Sequence, residues 1–184
     1  MNVSGERTFD APRGTVWQVL NDPASMAKTM PGVESFDIHD DRRWTANVKI
    51  PLGLGGLKMK VDMEKIEERE PEFAKLAVKG NGVGAIMNME TSFTLSDASA
   101  GGTAMAWSAE VKLLGPVGSM GQRVLQPIVN QQVLAVLKAL DVQVQEAVAS
   151  GGGPATHGAE EGISPASPEA YEAEPEGPTT STED

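Results

Sequence analysis

The chain has no cysteine, which excludes disulfides, thiolate metal ligands and a cysteine nucleophile. It has only two histidines. His157 falls in a polar C-terminal stretch, and His39 stands among Asp37, Asp40 and Asp41 near a strand end. A metal site needs several such groups converging in a fixed geometry, so this acidic cluster reads as a solvated turn. No stretch approaches the roughly 18 consecutive apolar residues of a membrane-spanning helix. The start, Met1-Asn2-Val3-Ser4-Gly5-Glu6-Arg7, carries no apolar secretion segment. The expected location is cytoplasmic.

A basic surface is missing as well. The formal net charge of the 184 residues is −11. Residues 150–184 hold eight acidic side chains and no Lys or Arg, which leaves the remainder at 15 basic against 18 acidic. Neither part has the cationic footprint that binding a phosphate backbone requires, so nucleic acid is excluded as a partner. Residues 150–184 open on three glycines and a proline, and continue with scattered prolines and acids. Such a composition buries too little apolar area to offset the entropy of ordering it. The division is therefore a folded domain over 1–149 and a disordered acidic tail over 150–184. The tail reads either as a solubilising appendage or as a docking segment.

What is present in the first 149 residues is periodicity. Residues 3–9 fit a strand. Ala11-Pro12 opens a helix with Val16, Trp17 and Leu20 on its apolar side, proline being suited to a first turn. Asp22-Pro23 opens a second, short helix, with Asp22 as N-cap, and Pro31-Gly32 closes it. Alternation of period two follows. Trp44, Ala46, Val48 and Ile50 share one face. Leu57, Met59, Val61 and Met63 share another, as do Val83, Ala85, Met87, Met89, Thr91, Phe93 and Leu95, and then Thr103, Met105, Trp107, Ala109, Val111 and Leu113. One buried face and one wet face is the mark of an antiparallel sheet. Residues 117–150 then repeat apolar side chains at three and four, a helix of about 50 Å. Pro127 inside it predicts a kink or a division. The fold class is α+β, a helix-grip arrangement in which an antiparallel sheet curls round a long C-terminal helix.

Chemistry-bearing patterns are sparse. No serine stands in a Gly-x-Ser-x-Gly setting, and Gly80-Asn81-Gly82-Val83-Gly84 lacks the lysine and following helix of a phosphate loop. Those glycines read as turn or bulge positions between strands. The inward faces hold almost no acid or base, so no catalytic residue is assigned and the chain is not expected to be an enzyme. The methionines are more informative. Met59, Met63, Met87, Met89 and Met105 fall on inward faces, with Met26, Met30 and Met120 on flanking helical segments. Methionine is flexible and polarizable and adapts to irregular contents. Two readings stand, an ordinary methionine-rich core and a lined pocket. For the pocket the candidate lining is Trp44, Val48, Leu57, Met59, Val61, Met63, Met87, Met89, Phe93, Met105, Trp107, Met120, Val124 and Ile128. Arg123 either orients a polar head at the mouth or pairs with a surface acid. Residues 53–56 and the Pro127 kink are the expected gate.

Ala11-Pro12 with Val16-Trp17, Leu20-Asn21-Asp22-Pro23 and Pro31-Gly32-Val33-Glu34 resembles the start of the CoxG family of carbon monoxide dehydrogenase proteins, within the START/polyketide-cyclase (SRPBCC) superfamily. The resemblance continues through Lys79-Gly80-Asn81-Gly82-Val83-Gly84, Gly102-Thr103, Gly115-Pro116-Val117-Gly118 and Gly121-Gln122-Arg123. It covers about residues 2–145. The chain departs from many relatives in carrying Thr29-Met30 where they carry Cys-Ile, and in its tail. The resemblance implies a Bet v 1/START-like fold and an accessory protein of a molybdenum-dependent CO dehydrogenase. Its expected contents are an apolar small molecule, a menaquinone-like respiratory quinone, held without covalent attachment. Its expected partners are the CO dehydrogenase complex and, transiently, the inner face of the cell membrane. The alternative is a ligand-free adaptor that tethers the enzyme to the membrane or assists its assembly.

Overall fold

A computed structural model describes residues 1–52 and 56–151. Most of the tail assignment and residues 53–55 of the expected gate lie outside the described residues. The chain begins with strand β1 (Asn2–Phe9), then helices α1 (Arg13–Asn21) and α2 (Pro23–Thr29). Six strands follow: β2 (Val33–Ile38), β3 (Arg43–Ile50), β4 (Leu57–Arg69), β5 (Phe73–Gly82), β6 (Ala85–Asp97) and β7 (Thr103–Leu114). A single 3-10 turn (Gly118–Met120) leads into the last helix, α3 (Gln122–Ala149).

The local signals act as their chemistry requires. Asp22 caps α2, its Oδ2 accepting from the Ser25 backbone N–H at 2.9 Å, with Pro23 in the first turn. Pro12 precedes α1 and its carbonyl accepts from the N–H groups of Thr15 and Val16 at 3.0 and 3.1 Å. The strands form one sheet in the order β1-β7-β6-β5-β4-β3-β2, every pair antiparallel. Consecutive strands β2 to β7 are neighbours, and β1 closes on the far side of β7.

Three sequence expectations change. Val83 does not belong to the β6 face; it occupies the β5–β6 turn and is 95% exposed. Two strands escape the alternation as read. β2 is polar and bulged between Val33 and Ser35, and β5 spends two positions on glycine. Those glycines have a packing reason. A Cβ on Gly80 would lie 2.8 Å from the Met59 Cε and 3.2 Å from the Met87 Cβ, so the space a side chain would take belongs to the flanking methionines. Finally, of the two outcomes expected at Pro127, a kink or a division, the division does not occur: α3 runs through it. The chain breaks earlier, at Gly121, whose φ is +78°. Pro127 comes early enough that its missing N–H removes one bond near the helix start. The helix runs 28 residues, about 42 Å at 1.5 Å per residue.

The core has two centres. One joins α1 and the C-terminal half of α3 to the sheet through Val16, Trp17, Phe93, Leu95, Leu140 and Val144. The Trp17 and Phe93 rings meet edge to face there, centroids 5.9 Å apart. The other lies on β3, β4 and β5 around Trp44, Val61, Met63 and Val78. Arg7 of β1 grips the Asp141 carboxylate of α3 through two guanidinium nitrogens, tying the helix to the sheet edge.

Candidate ligand-binding site

The close backbone neighbours of α3 are α1 and α2 rather than the strands. Between that helix layer and the inner face of the sheet lies a cavity of about 420 Å³, within the ~300–1,000 Å³ usual for small-molecule sites. Its walls come from the inward positions of β3 to β7 and from one stripe of α3. Alternation along each strand delivers every second side chain to it.

Of the residues the sequence points to, Val48, Leu57, Met59, Val61, Met63, Met87, Met89, Phe93, Met105, Trp107 and Ile128 line the cavity. Met26 and Met30 join them from α2 and the turn after it. Four do not. Trp44 faces inward but is only 1% exposed, in the packed core near the β2–β3 turn rather than on the cavity wall. Met120 and Val124 are about half exposed; Val124 lies off the stripe that Leu125, Ile128 and Val129 carry along α3. Arg123 is exposed beside Val124 and lines nothing.

Other wall residues were not singled out by sequence. Leu76 and Val78 line the cavity on β5, the strand whose glycines mask its alternation. Gln132 lines it from α3. The signal for Gln132 is its spacing, four residues after Ile128 and four before Val136, in a run otherwise apolar.

Among the described residues no acid, base or histidine lines the cavity. The hydroxyls on the wall are those of Thr29, Thr91 and Ser92, and no ionisable side chain stands beside them among the lining residues to activate one. Shifted acidities belong to the outer surface. The Arg43 guanidinium bonded to Asp40 holds that carboxyl below its ordinary range, and Lys75 does the same to Glu90. One inward lysine exists, Lys65 on β4. It is buried at the end of the sheet away from the β5–β6 turn, and its Nζ donates to Glu68 Oε1 at 3.0 Å. Among the described residues no group of three or more acids or histidines is placed to hold a metal. No described helix is long and apolar enough to cross a membrane.

A seven-stranded antiparallel sheet facing a long C-terminal helix across an apolar void is the helix-grip architecture of START-like proteins. A conserved protein from Geobacillus kaustophilus superposes with a TM-score of 0.74 at 21% identity, covering 80% of this chain and 97% of its own. The family model for CoxG, a subunit of carbon monoxide dehydrogenase, matches residues 5–145, and the chain belongs to that family. The ZhuI aromatase/cyclase from Streptomyces sp. R1128 matches at TM-score 0.62 and 16% identity, over 83% of this chain and 98% of its own. A START superfamily protein from Mycobacterium smegmatis matches at 0.60 and 14%, over 79% and 97%. At these identities the shared property is the fold. No curated protein matches the sequence.

Proposed function

We propose that this chain is an accessory protein of a molybdenum-dependent CO dehydrogenase and carries a respiratory quinone, menaquinone-like, between the membrane and that enzyme. The observation that supports it is the cavity of about 420 Å³, walled by apolar side chains that include five sheet methionines. Such walls fit a flexible apolar guest and tolerate variation in its shape. Oxidation of CO with water yields carbon dioxide, two protons and two electrons, and a quinone that takes up both becomes a quinol. The enzyme performs that chemistry; this chain supplies the acceptor in a water-excluding wrapper.

Loading is energetically undemanding. A quinone leaving the bilayer for the cavity exchanges one apolar environment for another, so little hydrophobic free energy changes and release stays reversible. One end of the sheet supports a bilayer contact. Ile86 and Leu114 pair across β6 and β7 on the outer face, both about half exposed. Val83 projects from the adjacent turn, and Met120 lies just beyond Val117, whose N–H bonds the Gly84 carbonyl. The cavity wall reaches Leu57, Leu113 and Val117 at this same end. Exposed apolar side chains therefore stand at the same end of the sheet as this part of the lining.

The test is to isolate the protein from its host, extract it with organic solvent and identify small molecules by mass spectrometry, alongside titration with menaquinone-loaded vesicles. Co-purifying quinone and saturable uptake from vesicles are expected. No recovered quinone together with no uptake would overturn the reading.

A further inference from the structure

Most polar groups on the cavity wall are already committed to protein partners. Thr29 Oγ1 donates to the Met26 carbonyl at 2.8 Å, and Thr91 Oγ1 to the Ser108 carbonyl at 3.0 Å. Ser92 and Ser108 share a hydroxyl contact at 3.3 Å. The Trp107 N–H has no acceptor, but it is fully buried against β1, where a Cβ on Gly5 would lie only 3.2 Å from it. That leaves Gln132. Its side chain lines the cavity, is half-buried and makes no hydrogen bond among the described residues. It sits in the middle of the α3 stripe, with Ile128, Val129, Val133 and Val136 around it on the wall.

We propose that Gln132 is the head-group anchor of the cavity and selects ligands that carry a hydrogen-bonding oxygen on an apolar body. This rests on the carrier reading and adds its specificity. Before a guest enters, water serves the amide. A guest that fills the space displaces that water. A pure hydrocarbon then strands the amide without a partner, whereas a ketone accepts from its NH2 group. Sites built to hydrogen-bond reject analogues lacking the partner for this reason. A glutamine amide both donates and accepts. It therefore binds a carbonyl through its nitrogen and the corresponding reduced hydroxyl through its oxygen, with no charge to desolvate in either case. A carrier that takes up one oxidation state and releases the other needs that indifference.

The experiment is a pair of matched ligands against a pair of proteins. The ligands are 2-methyl-1,4-naphthoquinone bearing one isoprenyl chain, and the naphthalene of the same skeleton without its two oxygens. The proteins are the full chain and Gln132→Leu, which keeps the bulk of the side chain and helix propensity. The ratio of quinone to hydrocarbon affinity is expected to fall about tenfold in Gln132→Leu, since only the wild-type amide is left without a partner by the hydrocarbon. The Gln132 side-chain amide resonance, assigned by its loss in the variant, is expected to lie downfield in the quinone complex relative to the hydrocarbon complex, where the N–H has no acceptor. An unchanged ratio in a folded variant, or an amide signal no further downfield with the quinone than with the hydrocarbon, overturns the assignment while leaving the carrier reading intact. Failure of the wild-type chain to bind either ligand overturns both.

Discussion

Gly5 lies directly across the β1–β7 ladder from Trp107, and the indole occupies the space a side chain at Gly5 would fill. A Cβ there would come within 2.9 Å of Trp107 Cζ2. The ring cannot yield without turning further into the cavity it lines. Gly5→Ala is therefore expected to destabilise the fold by about 1–3 kcal/mol, as overpacking does, and to weaken binding of a fluorescent apolar probe. Urea denaturation and probe titration check it; wild-type values in both would show that the close approach does not matter.

Ala109 lines the cavity from β7, two positions after Trp107 on the same face. Ala109→Trp is expected to fill the void and abolish quinone uptake while circular dichroism stays that of a folded α+β protein. CO-dependent reduction of membrane quinone in a reconstituted system separates the two functional readings. The carrier loses coupling in this variant, and a ligand-free adaptor keeps it.

The order of elements, both short helices, the Asp22 cap and most of the cavity wall were legible in the sequence, because period-two alternation and proline position are local signals. The failures share a cause. The alternation of β5 ends on Gly80 and Gly82, and only neighbours in three dimensions, Met59 and Met87, reveal that those glycines face inward. Arg123 and Val124 follow the helical repeat of α3. The stripe that lines the cavity runs through Leu125, Ile128, Val129 and Gln132 and leaves both off its face, and spacing alone does not choose between overlapping repeats. Gln132 falls at the right spacing but has the wrong polarity for a pattern defined by apolarity, so the pattern passes over the position with the most ligand chemistry.

Thr103 has no exposed surface, and its hydroxyl donates to the Ala11 carbonyl at 2.7 Å, fixing the entry to α1 against β7. Thr103→Val keeps the shape and strands that carbonyl. A loss of about 1–3 kcal/mol is expected in equilibrium denaturation, with Thr103→Ser recovering much of it. Equal stability of the valine and wild-type proteins would count against the bond.

Lys75 Nζ lies 2.7 Å from Glu90 Oε2 on the outer face. The bond holds the Glu90 carboxyl below its ordinary 4.5 and the Lys75 ammonium above its ordinary 10.5. A lowered carboxylate contributes above its unfolded value and loses that contribution as pH falls through the folded one. The raised lysine contributes below its unfolded value and loses it as pH rises through the folded one. The gap in melting temperature between wild type and Glu90→Gln is therefore expected to be widest near neutrality and to close at both extremes. A gap independent of pH would rule out the ion pair as its source. The pair is exposed, so the gap is expected to be small and to shrink with salt.

Helix α3 is fastened unevenly. Its second half is held by Leu140 and Val144 in the core and is braced by Arg7 at Asp141, while among its first dozen residues only Leu125 is buried. The width of the chamber is thus governed by how the helices lean on one another rather than by the rigid ladder of strands. A beam held more firmly at one end flexes at the other, so a bulkier guest is expected to tilt the less buried end of α3 outward and to leave every strand pairing intact.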